Sequence, residues 1–227
     1  RMSYNLEPKL RHTVRYSLAR QNIDNVPLLA SDVVKSQAGS HVTSSILNEF
    51  RLDHLNRRFN PSDGYFGSYS VEVAGIGGSA KFLRNKFEGG VYSSLFGTSA
   101  VVSLTGEMGH VMTFNNDQVR LTKRFFLGGS SLRGFDNAGV GPRDLITKDA
   151  IGGQQYYSGS AEISFPLGPP DEFDFQGSLF SDFGSAWGVD DPFSNLIDDS
   201  FITRAPTLLS SIILDIISSL ISKDRSL

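Results

Sequence analysis

At 227 residues the chain could form one large all-β domain or two small ones. Its 39% hydrophobic content includes no run of the roughly 20 apolar residues that a membrane-spanning helix needs. The net charge of −3 leaves no basic footprint for nucleic acid, and the lack of cysteine excludes a disulfide framework, a thiolate metal site and a Cys nucleophile.

The abundance of Gly (23), Phe (17) and Tyr (7) favours strands over long helices. The chain opens at Arg1-Met2 without an apolar leader, so a secreted protein would need its start upstream. Residues 5–18 alternate strictly. Leu6, Pro8, Leu10, His12, Val14, Tyr16 and Leu18 share one face, and Glu7, Lys9, Arg11, Thr13, Arg15 and Ser17 share the other. A period of two predicts one long strand with an apolar and a charged face. Residues 19–41 follow as a long polar connector.

Alternation resumes at residues 42–53, with Val42, Ile46, Phe50 and Leu52 opposite Thr43, Ser45, Glu49 and Arg51. Further predicted strands cover residues 65–74, 81–91, 101–112, 154–165 and 174–184, seven in all. In the last two, Ser158, Ser160, Glu162 and Ser164 fall on one polar face and Gln176, Ser178 and Asp182 on the next. A soluble β-sandwich would alternate in the same way. Two features favour a membrane barrel: the strands are long, and the polar faces carry charges of both signs, as a wet lumen would. The connectors support it. Residues 56–64, 94–98 and 166–172 are short, whereas 19–41 and 113–153 are long, with the short link 75–78 as the exception.

The long connector holds Arg124-Phe125-Phe126-Leu127-Gly128-Gly129-Ser130-Ser131-Leu132-Arg133-Gly134-Phe135 and then Gly139-Val140-Gly141-Pro142-Arg143-Asp144. Downstream come Gly152-Gly153-Gln154-Gln155-Tyr156-Tyr157, Glu162-Ile163-Ser164-Phe165-Pro166-Leu167 and Ser178-Leu179-Phe180-Ser181-Asp182-Phe183-Gly184. Together with the turn Asn60-Pro61-Ser62-Asp63-Gly64, these segments resemble, in order over residues 5–189, the BamA family of outer-membrane assembly factors. The family's long extracellular loop has an Arg-Gly-Phe/Tyr tip after Phe-x-x-Gly-Gly, and a later strand reads Phe-x-Asp-x-Gly.

The resemblance implies an all-β fold, an antiparallel transmembrane β-barrel fragment with about seven strands of a roughly sixteen-stranded barrel. Residues 1–200 would form this partial barrel, with 113–153 as an inward-folding extracellular loop. The expected role is part of an insertase that assembles β-barrel proteins into the bacterial outer membrane, with no enzymatic chemistry and no cofactor. Its partners would be unfolded barrel proteins, outer-membrane lipids and, through periplasmic POTRA domains outside this sequence, the Bam-complex lipoproteins. A TamA-like or two-partner secretion transporter is the alternative within the superfamily, and a passive porin-like barrel is the alternative of another class.

The candidate site is a lock between loop and barrel, formed by Arg133, Gly134, Phe135, Glu162 and Asp182, with Gly128, Gly129, Phe180 and Gly184 as the supporting motif. Arginine is a fixed fork of charge that can hold a carboxylate at two points. Periodicity alone favours a solvated loop arginine; the resemblance favours docking on Asp182 with Glu162 close by. Gly134 would let the backbone pass tightly through the lumen, and Phe135 would wedge against the wall. The four histidines His12, His41, His54 and His110 lie on separate elements without metal-ligand spacing. Gly75-Ile76-Gly77-Gly78 precedes no helix, so it reads as a turn and not a phosphate loop.

Residues 201–227 depart from the family pattern. Leu208, Leu209, Ile212, Ile213, Ile216, Ile217, Leu220 and Ile221 follow helical spacing where strands ending in an aromatic residue are expected. A frameshift or gene fragment is the plain reading of this tail, and an amphipathic helix on a membrane or partner is the alternative.

Overall fold

The computed structural model describes residues 1–95, 99–114, 117–167 and 176–189, and the backbone of 197–198. Eight antiparallel strands form one sheet in chain order: β1 Met2–Glu7, β2 Leu10–Ile23, β3 Gly39–Asp53, β4 Gly64–Ala74, β5 Phe82–Ser94, β6 Val101–Thr113, β8 Gln155–Pro166 and β9 Gln176–Trp187. The two-residue β7 Arg143–Asp144 lies in the long connector and pairs with β10 Ile197–Asp198. A 12-residue strand such as β8 is about 40 Å long. Tilted by roughly 45°, it crosses a hydrocarbon layer of about 30 Å.

Cross-strand register sorts the side chains into two faces. Tyr4, His12, Phe50, Tyr69, Phe87, Met108 and Tyr157 are successive directly opposed partners on the outer face. The row is apolar and largely exposed, as a surface facing lipid requires. His12 joins it by stacking on Phe50 with ring centroids 4.3 Å apart and contacting the Tyr4 hydroxyl at 2.5 Å. The inner face presents Thr13, Glu49, Ser70, Lys86, Gly109 and Tyr156 in the corresponding row.

Three sequence expectations need correction. Residues 5–18 are not one strand: the chain turns at Pro8-Lys9, so the main sheet has eight strands among the described residues where seven were expected. A bulge between Asn5 and Glu7 absorbs one residue, which keeps even-numbered positions on the same face before and after the turn. The alternation therefore passes through the hairpin unbroken and hides it. Residues 19–41 are not all connector either, because β2 runs on to Ile23 and β3 begins at Gly39. Arg20 and Asn22 occupy the outer face there, so the apolar signal fades while the hydrogen-bonded ladder continues. The rest of that connector holds a short helix, α1 Asp32–Ser36, whose Val34 N–H donates to the Ser31 hydroxyl. Finally, the inner face is not polar throughout.

At the loop end of the strands the inward residues Ala74, Phe82, Val111, Tyr156 and Ala186 are buried beneath Val119, Phe125, Leu127, Leu132 and Val140 of the long connector. The fold has a small apolar core inside the curve of the sheet, and the charged inner wall lies below it. The helical spacing in the tail, along with residues 168–175 and 190–196, lies outside the described residues.

Candidate functional site

The connector from β6 to β8 folds inward and ties its own ends to the wall. Phe125 and Gly153 exchange backbone hydrogen bonds of 2.8 and 2.9 Å, and Val140 N–H donates to Leu127 O at 3.1 Å. Phe125 stacks on Tyr156 at 4.3 Å and receives the Arg84 guanidinium on its ring at 4.5 Å. These contacts fix the base of the tip formed by residues 128–135.

The tip is a closed turn. Gly129 N–H donates to Phe135 O at 2.9 Å, and the Ser131 hydroxyl both accepts from Gly128 N–H at 3.0 Å and donates to Gly128 O at 2.9 Å. Gly128 has φ +129°, and a Cβ there would fall 1.9 Å from Asp136 O, so any side chain would break the turn. Leu132 is fully buried in the apolar core, which anchors the tip one residue before the charge.

Arg133 then reaches the charged inner wall. Its Nε and Nη2 donate to the two oxygens of Asp182 at 2.7 Å each, and its backbone N–H donates to Asp182 Oδ2 at 3.0 Å. Nη1 donates to Glu162 Oε2 and Nη2 to Ser160 Oγ, again at 2.7 Å. The guanidinium also lies over the Phe180 ring, 3.5 Å from its centroid. Register explains why four side chains meet one arginine: Ser160 is directly opposite Asp182, and Glu162 directly opposite Phe180, on neighbouring β8 and β9. Two adjacent cross-strand pairs thus make a four-cornered receptor. The hydrogen bonds to Asp182 raise the proton affinity of Arg133, outweighing the opposite effect of burial. The Asp182 side chain is only 8% exposed, against 35% for Arg133 and 28% for Glu162, so Asp182 depends most on its partner.

Phe135 is partly buried against the apolar core. Gly184 sits opposite Ser158, and a Cβ there would come 2.9 Å from Tyr157 O. Gly134 has a different reason from the expected tight passage: nothing lies within 4 Å of a Cβ there, and its φ of +88° is what favours glycine. Ser160 was not among the sequence candidates. It stands two residues before Glu162 on the same face, so parity was the available signal. A second charged contact lies on the same wall, Lys86 Nζ to Glu107 at 2.6 Å, with the Ser158 hydroxyl donating to Glu107 at 3.1 Å. Both nodes border a concavity of about 1060 Å³ that also includes Arg57, Tyr92 and Ser164.

Beyond the tip, Asp144 accepts from the backbone N–H groups of Ile146 and Thr147 at 2.9 and 2.8 Å. The bond from Thr147 is the main reason its carboxyl is held below the usual carboxylate range. Asp149 Oδ2 accepts from Ser31 N–H at 2.8 Å, which joins the long connector to the start of α1.

Residues 1–204 match the model of the Omp85 superfamily domain. The chain is 39% identical over 189 residues to an outer membrane protein assembly factor BamA of Neorickettsia risticii, covering 83% of this chain and 25% of that protein. It is 31% identical over 187 residues to a SAM50-like protein of Schizosaccharomyces pombe, covering 80% and 39% respectively. The fold is similar to the crystal structure of BamA from Haemophilus ducreyi lacking POTRA domains 1-3, with a TM-score of 0.69 at 17% identity, over 82% of this chain and 40% of that one. The chain thus spans from a quarter to two fifths of these relatives. With its long antiparallel strands, apolar outer face and inward loop, the chain belongs to the Omp85 superfamily and is part of an outer-membrane β-barrel.

Proposed function

We propose that this chain is part of the barrel of a bacterial outer-membrane insertase, in which the Arg133 node holds the long loop docked while other β-barrel proteins are assembled into the membrane. The observation that carries this reading is the five-bond seat of Arg133 on Ser160, Glu162 and Asp182, inside a sheet whose outer face suits lipid. A loop serving only to narrow a pore needs no such fixed register between its tip and two particular strands. The assembly role named for the BamA of Neorickettsia risticii supports the substrate class, and the higher identity to that bacterial relative than to the fission-yeast one supports a bacterial envelope.

The activity is physical and not covalent. The docked loop stiffens one part of the barrel wall, so that strain and opening concentrate elsewhere in the cylinder. Unfolded barrel proteins are the substrates, with outer-membrane lipids as the medium. Bam-complex lipoproteins would act through periplasmic domains beyond this sequence. The test is the rate at which a urea-denatured outer-membrane barrel folds into lipid vesicles containing the whole protein. The reading expects acceleration that drops at least several-fold in Arg133→Ala without a rise in ion conductance. Unchanged acceleration, or a pore that conducts freely and accelerates nothing, would contradict it.

A further inference from the structure

A second cavity, of about 270 Å³, opens at the loop end of the strands, between α1, the 75–81 turn and residues 117–123. It shares no lining residue with the larger concavity that the Arg133 node borders. Four basic side chains line it: His41, Lys81, Arg120 and Lys123, with Asp117 as the one carboxylate. No ion pair involves Lys81, Arg120 or Lys123 among the described residues. Asp117 acts on Arg120, and neither lysine is in ion-pair contact with a carboxylate among the described residues.

Gln37, which lines this cavity, carries a buried donor without an acceptor. Gln37 is 6% exposed, and its Oε1 accepts the backbone N–H of Leu121 at 2.8 Å. That bond fixes the orientation of the amide and leaves Nε2 buried with no acceptor. An unmet buried donor is unfavourable and uncommon in folded chains. The surroundings are fixed on three sides. Lys123 Nζ lies 5.2 Å from the centroid of the buried Phe82 ring, Ser79 bonds to the backbone of Val42, and His41 Nε2 contacts Gln37 O at 3.4 Å.

We propose that this cavity binds a phosphate-class oxyanion, held by Lys81, Lys123 and Arg120 with the Gln37 amide as a neutral donor. The volume far exceeds the roughly 30 Å³ share of one water, so a tetrahedral anion fits with part of its hydration. Burial lowers the proton affinity of Arg120, a penalty that an incoming anion relieves. The site stands at the end of the barrel where its long loops gather, so the anion can come from the phosphate of a lipid headgroup or from solution. The inference does not depend on the insertase reading, because it concerns equilibrium binding by the folded chain.

The full chain, or the whole protein containing it, is titrated with inorganic phosphate by calorimetry in a zwitterionic detergent. A parallel arm measures binding to phosphatidylcholine vesicles with and without lipid A. The expected result is saturable phosphate binding, weakened by salt and reduced at least tenfold in the Lys81→Gln/Lys123→Gln double variant. That variant removes no backbone contact, and retained heat-modifiable mobility on gels shows that it is folded. Competition between lipid A vesicles and phosphate assigns the site to a headgroup, and phosphate binding without competition assigns it to a soluble anion. No saturable binding in either arm, or binding that the folded double variant retains, would overturn the proposal.

Discussion

Replacing Arg133 by Ala removes four side-chain hydrogen bonds, one ring contact and the charge that balances a nearly closed carboxylate. The backbone N–H bond to Asp182 depends on the tip staying in place. Breaking a fully buried pair from one side costs about 3–5 kcal/mol, because the partner charge is left alone. Here Asp182 is nearly closed but Arg133 and Glu162 are about one third exposed, so water compensates in part. A value of about 2–3 kcal/mol for undocking follows, within the range for hydrogen bonds to charged groups. Since about 1.4 kcal/mol is tenfold in a population, the undocked loop becomes roughly 30- to 150-fold more populated. Arg133→Lys is the informative control, because it keeps the charge but loses the planar fork and the stacking on Phe180; it too is expected to cost more than 1 kcal/mol. The assay is the rate of proteolytic cleavage within residues 128–140 under conditions where opening is fast relative to cutting. If both variants are cut within twofold of the unmodified protein, the docking energy has been misjudged and the reasoning from burial fails. A double-mutant cycle with Asp182→Ala isolates the pair, and a coupling of about 1.5–3 kcal/mol is expected.

Phe180→Leu keeps apolar volume but removes the ring face under the guanidinium, and about 0.5–2 kcal/mol of docking is expected to be lost in the same cleavage assay. Glycine substitutions at the tip separate two causes: Gly128→Ala places a Cβ against Asp136 O and should release the loop outright, whereas Gly134→Ala meets open space and should cost only about 1–2 kcal/mol for its φ. Proteolysis and heat-modifiable gel mobility would show the contrast. Because the Asp144 carboxyl is held below its ordinary value, its contribution to the 144–149 turn is present at neutral pH and is lost as pH falls below about 4. Amide shifts of Ile146 and Thr147 should titrate there, and the titration should disappear in Asp144→Asn.

Much of the architecture was legible because a two-residue period survives wherever one face of a strand meets lipid. The same rule hid the first hairpin, since the bulge at Asn5–Glu7 preserves parity across the turn. It also ended β2 too early, because Arg20 and Asn22 on the outer face lie where lipid no longer selects for apolar side chains. The site divides in the same way. Alternation placed Glu162 and Asp182 on polar faces, and the family resemblance pointed to Arg133. Neither gives cross-strand register, and register alone puts Ser160 opposite Asp182 and Phe180 opposite Glu162. The apolar core under the loop was also invisible, because Ala74, Phe82, Val111, Tyr156 and Ala186 come from five separate strands and become neighbours only when the sheet curves. The buried Gln37 amide belongs to a connector whose polar composition suggested solvent.

The chain has no cysteine, so paired spin labels can be introduced without background. Labels at Asp136→Cys, the residue that follows the tip, and Leu179→Cys on the outer face of β9 report directly whether the tip sits against the wall. Pulsed electron resonance should give one narrow distance distribution in the otherwise unmodified protein and a broad, longer one when Arg133→Ala is added. A broad distribution already present with Arg133 intact would contradict the docked tip.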